Sequence, residues 1–162
     1  MSTPVNERAG SDVTTSTDRE IRVERVFDAP VERVWRAFSD PAQVAQWWGR
    51  GNRLVVEHME VERGGRWRYV EHAPDGVHEF EGRNREVTPS ESLVQTFKWG
   101  GLPGHVSVET TEFEDLGDGR TKVIATWLFQ TNEDRNGMSG MEQGLEQSYA
   151  ALDRLLRQGG SA

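Results

Sequence analysis

The stretch Phe27–Gly49, FDAPVERVWRAFSDPAQVAQWWG, carries two helix starts and a Trp-Trp pair within 23 residues. Asp28-Ala29 leads into Pro30, which suits the first turn of a helix because its missing N–H would have had no intrahelical partner there. Val31, Val34, Trp35 and Phe38 then recur at i, i+3, i+4 and i+7, which draws one apolar stripe along a helix. Glu32, Arg33, Arg36 and Ala37 fall on the other face. Asp40-Pro41 repeats the start signal, Val44, Trp47 and Trp48 form the next apolar group, and Gly49 supplies a C-terminal stop. The segment therefore predicts two short helices in tandem, a V-shaped insert following a strand.

On either side the period changes to two. Ile21, Val23, Arg25 and Phe27 alternate with Arg22, Glu24, Val26 and Asp28, the pattern of a half-buried strand. Further strands are predicted over 53–61, 66–72, 77–88, 93–99, 106–114 and 121–130, separated by turn signals such as Gly64-Gly65, Pro74-Asp75-Gly76 and Gly117-Asp118-Gly119. Trp67 and Tyr69 share one face, as do Leu93, Gln95, Phe97 and Trp99, and Val123, Ala125, Trp127 and Phe129. About seven strands in hairpin succession favour one antiparallel sheet.

A long helix is predicted over 136–158, because Met138, Met141, Leu145, Tyr149, Leu152 and Leu156 are spaced by three and four residues. Gly140 and Gly144 would lie inside it, where each costs about 1 kcal/mol relative to Ala. They mark either a close approach to the sheet, a mobile N-terminal half, or room for a ligand beneath the helix. Residues 1–18 are rich in Ser and Thr, lack aromatics, and read as a disordered tail. The folded domain is expected over 19–158, with 159–162 a C-terminal tail.

Composition narrows the function classes. A chain of 162 residues builds one well-buried core. A net charge of −8 argues against nucleic acid or an anionic membrane surface as partner. The absence of cysteine excludes disulfides, thiolate chemistry and cysteine-ligated zinc. Apolar runs stop after a few residues, so no spanning segment is expected, and with no signal-peptide core the expected compartment is the cytoplasm.

The order strand, two helices, six strands, long helix resembles the helix-grip superfamily, also described as START-like or birch-pollen-allergen-like (SRPBCC). Within it the chain is similar to the bacterial branch related to the C-terminal domain of the heat-shock-protein-90 ATPase activator. The resemblance rests on Phe27-Asp28-Ala29-Pro30, Val34-Trp35-Arg36-Ala37-Phe38, Asp40-Pro41, Trp47-Trp48-Gly49 and Gly64-Gly65-Arg66-Trp67. Pro74-Asp75-Gly76, Gly82, Leu93-Val94-Gln95-Thr96-Phe97 and Gly140-Met141-Glu142-Gln143-Gly144 extend it to about residues 20–158. It implies an α+β fold, with a curved antiparallel sheet, two short helices after the first strand, and a long C-terminal helix across the concave face. It also implies a hydrophobic cavity between that helix and the sheet. Members bind lipids, hormones or polyketides, and some are cyclases or other enzymes. The separate N-terminal chaperone-binding domain of the eukaryotic activator has no counterpart in this sequence, so a chaperone is not an expected partner.

Candidate chemistry is sparse. His58, His72, His78 and His105 include no i, i+4 pair and no HExxH, so neither a metal nor a cofactor is expected. No GxSxG occurs. If Trp67 and Tyr69 point inward, so does Glu71. Among aromatics it would act as a raised-pKa acid or base; near the sheet rim it would be solvated or paired with an arginine. Arg83 and Arg85 share a face with Glu79 and Glu81, which predicts a charge ladder on the outer face. Trp35 is expected in the core. Trp47 and Trp48 should diverge, one at the cavity wall or mouth and the other beneath the insert.

The favoured reading is binding of a small apolar or amphipathic molecule in a cavity of roughly 300–1,000 Å³. Its expected walls are Trp48, Trp67, Tyr69, Phe97, Trp127, Met141, Leu145 and Tyr149, with His58 or Glu71 orienting the ligand. One alternative is a cofactor-free cyclase, lyase or hydrolase using a cavity carboxylate or histidine. Another is an interaction or stress-response protein, working with a chaperone or as a homodimer through an exposed sheet edge.

Overall fold

The period-two segments pair into a single sheet whose inward side chains are the apolar ones. The computed structural model describes residues 12–16, 19–101, 104–138 and 140–158. Its strands are β1 (Asp12–Ser16), β2 (Glu20–Phe27), β3 (Arg53–Met59), β4 (Arg66–Ala73), β5 (Gly76–Thr88), β6 (Ser92–Trp99), β7 (Val106–Asp115) and β8 (Thr121–Leu128). They form one antiparallel sheet in the order β1-β2-β8-β7-β6-β5-β4-β3. From β3 to β8 the chain is a meander, and β8 then lies against β2. The helical insert, α1 (Val31–Ser39) and α2 (Pro41–Trp47), carries the chain from β2 to the far edge at β3. Register breaks between Val56 and His58 and between Asn84 and Glu86 mark bulges, which bend the strands.

The insert is held by both caps and packing. Pro30 is the N-cap of α1 rather than part of its first turn, and its carbonyl accepts from Arg33 and Val34 N–H at 3.0 and 3.1 Å. Asp40 caps α2 by accepting from Ala42 N–H at 3.1 Å, ahead of Pro41. Val34 and Ala37 are fully buried. Trp35 is half-buried, edge-on to Phe113 at 5.4 Å, and packs against the core as expected. Trp47 donates its indole N–H to Ala37 O at 2.8 Å, which pins α2 to α1.

Two expectations change. Residues 12–16, placed in the disordered tail, pair with β2 from Asp12↔Arg25 to Ser16↔Ile21, so an eighth strand edges the sheet. Period-two apolar patterning was the signal used for strands, and Asp-Val-Thr-Thr-Ser carries none. The rest of 1–18, and the tail at 159–162, lie outside the described residues. The long helix begins only at Met141: α3 (Asn132–Gly137) and α4 (Met141–Gln158) are separate. Gly140 stands between them at φ +92°, left-handed backbone that glycine adopts without a Cβ clash. The three-residue step from Met138 to Met141 concealed this role as a breaker.

The outer-face ladder exists with different cations. Arg68 on β4 reaches Glu57 Oε1 at 2.8 Å, Glu81 Oε1 at 3.1 Å and Glu79, and Lys98 pairs with Glu81 at 2.9 Å. Arg83 instead donates to Gly64 O at 3.2 Å. Inside the sheet, Gly82 has a structural reason: a Cβ there would lie 1.9 Å from Thr96 O and 2.7 Å from Trp67 Nε1. Its absence lets the Trp67 indole N–H reach Thr96 O, at 3.2 Å.

Candidate functional site

Helix α4 leans on α1, α2 and β2. Its Tyr149 meets Phe27 of β2 edge-on at 5.6 Å, and Leu152 and Leu156 are buried below. The contact lies at one side of the sheet, so a space is left between the concave face of β4–β8 and the rest of the helix. That space is a cavity of about 480 Å³, inside the range usual for small-molecule sites.

Nine of the ten residues expected at the site border this cavity: Trp48, Trp67, Tyr69, Glu71, Phe97, Trp127, Met141, Leu145 and Tyr149. His58 does not. It lies on β3 against the Glu60 carboxylate at 3.0 Å, one of the residues bordering the bulge that shifts this strand's register. Trp47 and Trp48 both border the cavity but pack apart, Trp47 beneath the insert against Phe38 and Tyr149 and Trp48 against Tyr69 and Phe80. The helix ends at Trp47, and Trp48 is extended at φ −71°, ψ 139°. Phe38, on the apolar stripe of α1, also lines the space.

The apolar wall is a chain of ring contacts. Trp48 stands edge-on to Tyr69 at 5.1 Å and to Phe80 at 4.9 Å, and Trp67 lies 4.8 Å from Tyr69 and 6.0 Å from Phe97. Edge-to-face and offset pairs of this kind favour fixed ring positions over a freely collapsing wall.

Three carboxylates, Glu71, Asp75 and Glu109, break this apolar lining. Glu71 of β4 is only 1% exposed, yet fully partnered: Arg50 Nε and Nη2 each donate to it at 2.9 Å, and Asn52 Nδ2 donates at 2.7 Å. The Glu71 hydrogen bond in turn raises the Arg50 pKa. Arg50 occupies left-handed backbone at φ +59°, and its N–H donates to Ser148 Oγ of α4 at 2.9 Å. One residue of the α2–β3 loop thus ties β4 to the long helix at the cavity's rim. Asp75 and His78, paired at 3.0 Å in the β4–β5 hairpin, lie at the same cavity.

Glu109 of β7 is the third. It pairs across the sheet with Gln95 on β6 and Trp127 on β8, so all three present side chains to the cavity. It makes no hydrogen bond or ion pair among the described residues. Removal from water pushes its carboxyl up to about 7. Burial also raises the Tyr69 phenol, and the Glu109 charge adds to that rise. The Trp127 indole N–H is buried without a partner among the described residues.

Sequence reading did not single out Glu109, and the reason is specific. On Val106–Asp115 the obvious apolar set is Val106 and Val108, whereas the inward set is Ser107, Glu109, Thr111 and Phe113. Pairing decides the matter, since Phe113, Thr111 and Glu109 lie opposite Val123, Ala125 and Trp127. Counting back by twos from Phe113 would have found it. Arg50 carried no signal, because its role depends on a loop conformation.

Among the described residues no group of three or more His, Asp or Glu side chains could hold a metal, and no helix is long and apolar enough to cross a membrane.

Solved structures share this architecture. A protein from Rhodobacter sphaeroides is 23% identical, with a TM-score of 0.83 over 92% of this chain and 99% of its own. One from Arthrobacter aurescens is 25% identical, with a TM-score of 0.83 over 90% of this chain and 91% of its own. Protein CV1439 from Chromobacterium violaceum is 29% identical, with a TM-score of 0.72 over 84% of this chain and 96% of its own. No curated protein matches the chain. Residues 28–157 match the family described as activator of Hsp90 ATPase homolog 1-like protein. With that match spanning the helical insert, every strand from β3 onward and nearly all of α4, the chain is a member of the Hsp90 ATPase activator homolog 1-like family and has its helix-grip fold.

Proposed function

We propose that this protein binds a small apolar or amphipathic molecule between α4 and the concave sheet. The observation that carries the reading is the cavity itself, about 480 Å³, walled by aromatic rings that hold one another apart. Apolar walls on this scale are costly to leave to water, and a bound apolar molecule would remove that surface from solvent. Apolar walls supply affinity, and the few polar groups on the wall orient the bound molecule. Native mass spectrometry of the protein as purified from cells, followed by solvent extraction, tests this. A bound small molecule released on denaturation is expected. Protein that is empty, and whose tryptophan fluorescence ignores a panel of apolar compounds, would overturn it.

Glu109 supports a second reading, in which the cavity is a cofactor-free catalytic site. A carboxyl near neutrality with no internal partner can both give and accept a proton at physiological pH. It would take the acid–base role expected of Glu71, whose lone pairs are committed to Arg50 and Asn52. The extracted molecule, incubated with the wild-type protein and with Glu109→Gln, discriminates. Conversion by the wild type alone supports catalysis, and recovery of the unchanged molecule from both refutes it.

A further inference from the structure

The charged groups facing the cavity are not balanced. Arg50 is taken by Glu71, and Asp75 by His78. Glu109 alone has no partner among the described residues, and no cation approaches it from the neighbouring strands. Gln95 on β6 and Trp127 on β8 flank it uncharged, and Thr111 is the next inward residue on its own strand. From β4 the neutral phenol of Tyr69 lies near it, and α4 contributes Met141, Gln143, Gly144, Leu145, Ser148 and Tyr149 to the wall, none of them charged. Much of the remaining wall is aromatic, with the rings of Trp48, Trp67 and Phe97 beside aliphatic residues such as Val44 and Leu93. An anion would meet an uncompensated carboxylate there. A cation would meet its countercharge, together with the π-faces that attract alkylammonium groups.

We infer that the cavity's ligand is an amphipathic amine, its protonated nitrogen seated on the Glu109 carboxylate and its apolar body among the surrounding aromatic rings. The inference rests on the binding reading above and specifies the chemistry of that same site. It also explains why a carboxylate is placed among aromatics without an internal partner: the ligand provides the partner that Arg50 provides for Glu71. Binding is linked to protons in a definite direction. The ammonium group favours ionised Glu109, so affinity falls as the pH drops below about 7 and a proton is released on binding in that range. His78 and Asp75 at the hairpin, and Arg50 with Glu71 at the rim, are the other charged groups on the cavity wall, so the pH step must be assigned by substitution.

Isothermal titration of the full chain with three probes of one bicyclic body, 2-naphthylmethylamine, 2-naphthylmethanol and 2-naphthoate, tests the assignment. At pH 8 the amine should bind at least about tenfold more tightly than the alcohol, the step a charge-assisted hydrogen bond brings. The carboxylate should bind most weakly. Glu109→Gln keeps the shape, and should remove both the amine's advantage and its pH step while leaving the alcohol within about twofold, which also certifies that the variant folds. Equal binding of amine and alcohol, or an amine preference or pH step that survives in Glu109→Gln, overturns the inference and leaves the binding reading intact. If none of the three probes binds, the binding reading falls and this inference falls with it.

Discussion

Glu71 and Glu109 are the same residue type on the same concave sheet, facing the same cavity, and they are treated in opposite ways. Glu71 receives three charge-assisted hydrogen bonds within 2.9 Å from Arg50 and Asn52. Glu109 receives none from the described residues. A half-buried carboxylate with no protein partner carries a desolvation cost that nothing in the fold offsets. The difference therefore separates a carboxylate that serves the scaffold from one left available to something else. Glu71 anchors a rim residue that also touches α4 through Ser148 Oγ. Glu109 sits where neighbouring strands supply only Gln95 and Trp127.

The sharpest way to break the comparison is to strip Glu71 of its partner. Arg50→Ala leaves a carboxylate that is 1% exposed with only Asn52 to satisfy it. Breaking a buried pair from one side costs about 3–5 kcal/mol. The low end, about 3 kcal/mol, is expected here because Asn52 remains and the Arg50 side chain is 40% exposed. Urea denaturation at pH 7 measures it, and a loss below about 1 kcal/mol would show the latch to be a surface ion pair in effect. Arg50→Gly should recover about 1 kcal/mol of that loss, since only the alanine must hold a Cβ at φ +59°.

Glu109 should behave in the reverse sense when its charge is removed. Its folded pKa is about 7 against an ordinary value of 4.5. Between those values the folded state binds more protons than the unfolded one, so wild-type stability falls as the pH rises from 4.5 to 7 and stays low above. Glu109→Gln removes that slope. At pH 8 it should be more stable than wild type by about 2–3 kcal/mol, and near pH 4.5 the gain should vanish. Parallel urea curves for the two proteins between pH 4.5 and 8 test this. A difference that does not change with pH would mean that Glu109 keeps its ordinary pKa, and the contrast with Glu71 would be lost.

The two carboxylates also mark what a sequence discloses. The helical insert was legible because Pro30, Asp40-Pro41 and the Val31–Phe38 stripe are local signals. The inward faces of β4, β6 and β8 were legible because Trp67, Phe97 and Trp127 alternate with polar residues. Nine of the ten expected site residues lie on the cavity for that reason. Pairing and loop geometry were not legible. Glu71 could be placed facing inward by parity, but its partner comes from a left-handed loop residue 21 positions away. Glu109 was hidden by a strand whose valines point outward. The long helix was overextended because the three-residue step from Met138 to Met141 runs across Gly140, whose φ of +92° ends the regular backbone.

Gly144 offers the finest cut. A Cβ on this α4 residue would lie 3.0 Å from Arg50 Cδ and 3.4 Å from Cγ, so the glycine accommodates the arginine stem on its way to Glu71. Alanine in a helix interior is favoured over glycine by about 1 kcal/mol. In the wild-type background that gain is opposed by displacing a side chain whose guanidinium is fixed by two bonds, so Gly144→Ala should change stability by less than about 0.5 kcal/mol. In the Arg50→Ala background nothing opposes it, and the same substitution should stabilise by about 1 kcal/mol. The discrepancy between backgrounds, read from a double-mutant cycle in urea, is the energetic signature of Arg50 held between helix and carboxylate. If Gly144→Ala stabilises equally in both, the stem swings freely, and the fixed geometry that sets Glu71 apart from Glu109 is absent in solution.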